Sequence, residues 1–204
     1  MGSVLRVFSV LGDQFEPAVL DEAAKILRAG GLVAFPTETV YGLGADATNP
    51  KAIDRLNRVK GRPPDKPYSL HLHSAEQLRE LVTTVSPLAE RLIKRFWPGP
   101  LTIVLPGHEG RTIGFRLPDH PIAQVFLAAC CVPVVAPSAN RSGMSPPTDA
   151  EEVLASFGGE VDCILNAGPT RLRRESTVVE VTTDGLKILR EGAVSKTAIL
   201  AAMT

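Results

Sequence analysis

Short apolar runs alternate with amphipathic stretches along the whole chain, and this alternation most constrains what it can fold into. Each run is too short to be a buried helix, and each amphipathic stretch is too long to be a strand, which predicts an α/β domain. Strands are expected at residues 32–35, 68–72, 101–105, 113–117, 132–136, 163–165, 177–181 and 187–189. Helices are expected over about 17–29, where Gly30 and Gly31 stop the first, and over 50–59, 86–96 and about 121–131. Ser74-Ala75-Glu76-Gln77 and Thr148-Asp149-Ala150-Glu151 read as capping boxes that open two more, the second running to about Phe157. No repeat, low-complexity tract or long linker divides the 204 residues, so one domain is expected.

Charge limits the partners. Lys and Arg number 22 and so do Asp and Glu, whereas a nucleic-acid backbone calls for a basic surplus. A long RNA or DNA footprint is disfavoured; a local cationic pocket is not. Cys130, Cys131 and Cys163 have neither metal-ligand spacing nor an even count for a disulfide framework. They sit in apolar company as small core residues, and reduced thiols suit the cytosol. The apolar N-terminus has no signal-peptide core with a cleavage site, and no run reaches membrane-spanning length. A soluble, cytoplasmic protein is expected.

Candidate chemistry lies at strand ends and in Pro/Gly-rich loops. Pro36-Thr37-Glu38-Thr39-Val40-Tyr41-Gly42-Leu43-Gly44 follows a strand. Its hydroxyls and carboxylate orient a small ligand, or its threonines simply bond nearby backbone in a turn. Lys60-Gly61-Arg62-Pro63-Pro64-Asp65-Lys66-Pro67 places cations just beyond a helix C-terminus. In an extended conformation Lys60 and Arg62 share a side and could grip an anion; a solvated surface is the alternative. Pro137 to Thr148, with Ser138, Asn140 and Pro146, is a loop small enough for close backbone approach, or an ordinary turn. Arg116, inside an apolar run, requires an anionic partner from Glu, Asp or a ligand. His71 and His73 alternate on a strand, and no third metal ligand is placed by the sequence. Neither a Walker A nor a Gly-x-Gly-x-x-Gly motif occurs.

Read in order, the strings GGLVAFPTETVYGLG, KGRPPDKPYSLHL, WPGPLTIVL, IGFRLPDHPIA, PVVAPSANRSGMSPPT, ESTVVEV and LREGAV resemble the YrdC-like family of threonylcarbamoyl-AMP synthases over about residues 24–194. The separated K-x-R and S-x-N signature falls on Lys60, Arg62, Ser138 and Asn140. The resemblance implies a twisted mixed sheet with flanking helices around a large, positively charged cavity. It implies a nucleotidyltransferase that joins L-threonine, bicarbonate and ATP, with Mg2+ on the nucleotide, into threonylcarbamoyl-AMP and pyrophosphate. A separate tRNA transferase system then consumes the product; direct tRNA binding is weak or absent, and no membrane is involved. Lys60 and Arg62 take catalytic roles. Arg62 and Lys66, with Lys60 beside them, and Thr112, Ser138, Asn140, Pro146 and Arg190 lie on the ATP side. Thr39, His71, Arg116, Ala136 and Ser176 lie on the threonine side, and Arg116 finds its anion in the threonine carboxylate.

Two departures stand out. Members of the family often carry a glycine shortly before Glu-Ser-Thr, where this chain has Leu172-Arg173-Arg174. The chain is also expected to lack the extra C-terminal domain of the longer members. Two other readings stay open: an RNA-binding module without turnover, and a carbamoyl-adenylate-forming relative with another substrate.

Overall fold

Side-chain alternation along a single mixed sheet decides which of its faces is covered and which stays open. The computed structural model describes residues 4–12, 15–63, 66–107, 111–182 and 185–203. In chain order the elements are β1 (Arg6–Ser9), α1 (Ala18–Arg28), β2 (Val33–Phe35), β3 (Gly42–Asp46), α2 (Pro50–Lys60), β4 (Leu70–His71), α3 (Leu78–Leu81) and α4 (Pro87–Phe96). There follow β5 (Leu101–Pro106), β6 (Thr112–Arg116), α5 (Pro121–Cys130), β7 (Val134–Val135), α6 (Ala150–Phe157), β8 (Cys163–Asn166), β9 (Thr177–Thr182), β10 (Gly185–Arg190) and α7 (Lys196–Ala201). Among the described residues the strands form one 10-stranded sheet in the order β1-β8-β2-β3-β7-β4-β6-β5-β9-β10. Strands β1 and β2 run parallel to β8, β4 to β6 and β5 to β9, and the remaining pairs are antiparallel.

The helix ends follow capping chemistry. Asn49 accepts from the amides of Lys51 and Ala52 to open α2 behind Pro50, and Gly61 closes it at φ 61°. Ser86 opens α4. The second expected capping box is shifted by one residue: Asp149 accepts from Glu152 N at 2.8 Å, and the Glu152 carboxylate accepts from Thr148 N at 2.6 Å. The first opens no helix at Ser74: the Gln77 side chain accepts from His73 N at 3.1 Å, but α3 starts only at Leu78, without a side-chain cap.

Packing divides the sheet. Around β8, β2 and β3 both faces are covered, by α1 and α5 over Phe35, Cys163 and Leu165, and by α2 and α6 over Ala34, Leu43 and Ile164. Farther along, Leu101, Ile103, Leu105, Phe115, Val179 and Val181 bury one face against Leu78, Leu92 and Ile199. The residues between them (Thr102, Val104, Gly114, Val178 and Glu180) point the other way and line a cavity to which no helix contributes a residue. Cys130 and Cys163 are core residues whose thiols burial pushes up to about 12, while Cys131 is exposed at the end of α5.

Candidate functional site

The cavity holds about 440 Å3, within the range that takes a small-molecule ligand. Its floor is the open face of β5, β6 and β9, and its rim comes from Val40, Arg62, residues 66–69, residues 136–138, Glu175, Ser176 and Arg190. Gly114 in the floor is closely covered: a Cβ there would stand 2.4 Å from Ser69 Oγ and 3.3 Å from Thr102 Cγ2. Cations and carboxylates meet on the wall. Arg62, Lys66, Arg116 and Arg190 face Glu175 and Glu180.

Arg62 sits over the Tyr68 ring, 4.6 Å from its centroid, and donates to Pro67 O at 2.9 Å. Its Nε is buried without a hydrogen-bond partner among the described residues. Arg62 and Lys66 have no carboxylate within 4.0 Å among the described residues, so their charge is available to an anion. Pro64 and Asp65 of the same loop lie outside the described residues.

Arg116 finds its anion within the chain. Its NH2 lies 2.9 Å from Glu38 Oε2, with the side chains 6% and 1% exposed. Neither Glu38 side-chain oxygen accepts a hydrogen bond among the described residues, so this is a contact of charge. The same NH2 donates to Thr39 Oγ1 at 2.7 Å. Thr37 spends its hydroxyl proton on Val40 O at 2.6 Å, so Thr39 is the donor in the 2.8 Å contact between the two threonines. Thr37 therefore does bond nearby backbone, and the Thr39 hydroxyl, anchored on Thr37, receives the guanidinium.

His71 stands beside Arg116, paired with it in the parallel β4–β6 register, and meets Phe35 edge-on at 6.1 Å. Burial first, then the positive charge of Arg116, lowers its pKa from 6.5 to about 3, against a smaller opposing pull from the Ser69 backbone. The ring is neutral at physiological pH. The expected shared face with His73 is not formed, since β4 ends at His71 and His73 lies beyond it, half-buried. Because the unfolded histidine binds a proton below 6.5 and the folded one only near 3, stability falls as pH drops through that window. Between about pH 7.5 and 5 the loss is about 2 kcal/mol. Urea unfolding of His71→Gln should show a correspondingly weaker pH dependence than wild type; an unchanged dependence would assign the acid sensitivity elsewhere.

On the far wall, Ser176 Oγ lies 2.9 Å from Thr102 Oγ1. Arg190 braces the same segment, donating to Ser176 O at 2.9 Å and pairing with Glu175 at 2.8 Å. Gly192 is packed so tightly that a Cβ would meet Glu175 O at 2.3 Å, while its amide donates to Thr177 Oγ1 at 2.8 Å. The strings ESTVVEV and LREGAV thus lock together. Arg173 adopts φ 48°, the left-handed backbone a glycine takes without penalty. The loop around it is pinned by Thr170 N, which donates to Thr148 O at 2.7 Å, and by Leu172 N, which donates to Glu38 O at 2.8 Å.

Of the residues singled out from sequence, Arg62, Lys66, His71, Thr112, Arg116, Ala136, Ser138, Ser176 and Arg190 line this cavity. Lys60, Thr39, Asn140 and Pro146 do not. Lys60 is 3% exposed and ends α2 rather than continuing an extended strand, so it does not share a side with Arg62. Thr39 is buried behind Arg116. Asn140 Nδ2 donates to Met144 O at 2.7 Å and to Arg141 O at 2.9 Å, closing its own loop. Pro146 lines a separate depression with Arg141 and Met144. Sequence reasoning did not single out Tyr68, Thr102 or Glu180. Strand alternation from Leu101 and Thr177 was the signal for the last two.

A family model, Sua5/YciO/YrdC, described as "Telomere recombination", matches residues 25–192. A threonylcarbamoyl-AMP synthase of Pyrococcus abyssi is 46% identical over 179 residues, covering 83% of this chain and 53% of that protein. One of Bacillus subtilis is 41% identical over 185 residues, covering 86% and 54%. The crystal structure of P. abyssi Sua5 complexed with L-threonine superposes with a TM-score of 0.90 at 40% identity, over 98% of this chain and 61% of that one. The chain spans about half the length of these two relatives.

Proposed function

The chain belongs to the Sua5/YciO/YrdC family, and on that premise we propose that it is a threonylcarbamoyl-AMP synthase, using L-threonine, bicarbonate and ATP. The observation that carries this reading is one cavity wall bearing both Arg62 and Lys66, neither in an ion pair among the described residues, and the held group Arg116, His71 and Ser176. Carbamate, threonine carboxylate and triphosphate are all anions, and bringing them together needs fixed positive charge.

In the proposed reaction the threonine amine and bicarbonate form an N–C bond with loss of water. A carbamate oxygen then attacks the α-phosphorus of ATP, and the bond to pyrophosphate breaks. Arg62 and Lys66, with Ser138, Thr112 and Arg190 around them, hold the nucleotide. Arg116 orients the threonine carboxylate, with His71, Ser176 and the Ala136 backbone completing that side. The wall presents no activated nucleophile, and none is needed, because the carbamate itself attacks. Magnesium bound with the nucleotide would neutralise phosphate charge, and the Glu180 carboxylate on the cavity wall, in no ion pair among the described residues, would offer it one oxygen. The product would pass to a separate tRNA transferase system, with weak or no direct tRNA binding by this chain, consistent with its balanced charge. Among the described residues no helix is long and apolar enough to cross a membrane.

Incubation with ATP, bicarbonate and threonine should release pyrophosphate only when threonine is present. Release independent of threonine but dependent on carbamoyl phosphate would instead favour the carbamoyl-adenylate relative. Salt-sensitive tRNA binding without turnover would favour the RNA-binding module.

A further inference from the structure

The K-x-R and S-x-N halves of the signature lie far apart in sequence, and the lysine is the residue that joins them. Lys60 Nζ donates to Ser138 O and to Asn140 O, each at 2.5 Å. The reverse stitch comes from Ser142 N, which donates to Lys60 O at 2.7 Å, and from Arg141 NH1, which donates to Val59 O at 2.9 Å. These last two fill carbonyls that the final turn of α2 leaves without helical partners. Ala139, between the two clamped carbonyls, is fully buried and donates its amide to Tyr41 O at 2.8 Å. A tight turn accompanies the spacing: Asn140 N donates to Ser138 O at 2.9 Å, and the carbonyls of Ser138 and Asn140 both come within reach of a single amine.

We propose that Lys60 is a positioning residue, whose ammonium clamps the Ser138–Asn140 main chain against the end of α2 and does not touch the ligand. The geometry divides the labour. Gly61 turns the chain at φ 61°, so Lys60 faces inward while Arg62 emerges on the cavity wall beside Ser138. Burying an ammonium is costly unless it is well bonded. Here two carbonyls and the negative end of the α2 dipole receive it. Burial and the neighbouring Arg62 lower its pKa to about 8, which leaves it mostly charged at neutral pH. A compact ammonium fits between two converging carbonyls where a planar guanidinium would not. The effect on turnover rests on the nucleotide reading of the cavity; the clamp itself is measurable without any nucleotide.

Lys60→Met tests it. In the ligand-free variant, amide hydrogen exchange of residues 136–144 should accelerate about 10-fold or more, the loss of a charge-assisted clamp, while the rest of the sheet stays protected. The KM for ATP should rise with the threonine KM unchanged. Unaltered exchange together with lost ATP binding would overturn the proposal in favour of direct contact. Should the variant not fold, amine acylation of wild type decides: Lys66 should be labelled and protected by ATP, and Lys60 should stay unlabelled with or without it. ATP-sensitive labelling of Lys60 overturns the clamp. Accelerated exchange in a protein that shows no threonine-dependent turnover at all would instead sink the function and leave the clamp standing.

Discussion

Arg62→Ala should lower threonine-dependent pyrophosphate release by about 100-fold or more, the usual loss when a preorganised charged donor is removed from a reacting anion. The melting temperature should stay close to that of wild type. Among the described residues the side chain makes one hydrogen bond, to the carbonyl of Pro67, and one ring contact, to Tyr68. Its buried Nε has no partner among the described residues, which is a poor arrangement for stability and a good one for an arriving phosphate. Tyr68 is itself fixed by its hydroxyl bond to Asn57 Oδ1 at 2.7 Å, so the stacked guanidinium is held before any ligand arrives. Arg62→Lys keeps the charge but loses the stack and the fork, and should recover only part of the activity. Steady-state kinetics with ATP varied checks both variants, and full activity in Arg62→Ala would remove the phosphate role.

Much of the fold was legible because its signals are local. Pro-led helix starts, glycine stops and period-two apolar runs placed α1, α2, α4, α5 and most strands to within a few residues. Strand β3 was not legible. Gly42-Leu43-Gly44-Ala45-Asp46 carries two glycines and no β-branched residue, so it reads as part of a turn. The reason is tertiary: a Cβ on Gly44 would stand 3.2 Å from Phe35 Cε1 and 3.3 Å from Leu27 Cδ1, so a side chain there would press on what packs against the strand from β2 and α1. Propensity cannot report a neighbour that lies elsewhere in the chain. The site was legible in the same uneven way. Arg116 announced a need for an anion, but that Glu38 meets the need depends on a loop folding back across the sheet. The signature lysine announced a charge, and only the structure separates a charge that lines the cavity from one that holds the loop beside it.

That distinction sharpens what Arg116 should do when removed. Arg116→Met leaves the Glu38 carboxylate 1% exposed and without its cation, and breaking a buried pair of this kind costs about 3–5 kcal/mol. The variant should unfold at markedly lower urea and release no pyrophosphate in response to threonine. Neither result alone separates scaffold from ligand contact. Combining Arg116→Met with Glu38→Gln does, because the amide removes the stranded charge. The double variant should regain most of the lost stability, since a neutral pair replaces an uncompensated ion. If Arg116 also receives the threonine carboxylate, turnover should stay absent despite the recovered fold. A double variant that is both stable and active would show that the guanidinium serves only to neutralise Glu38, and the threonine anchor would have to lie elsewhere on the cavity wall.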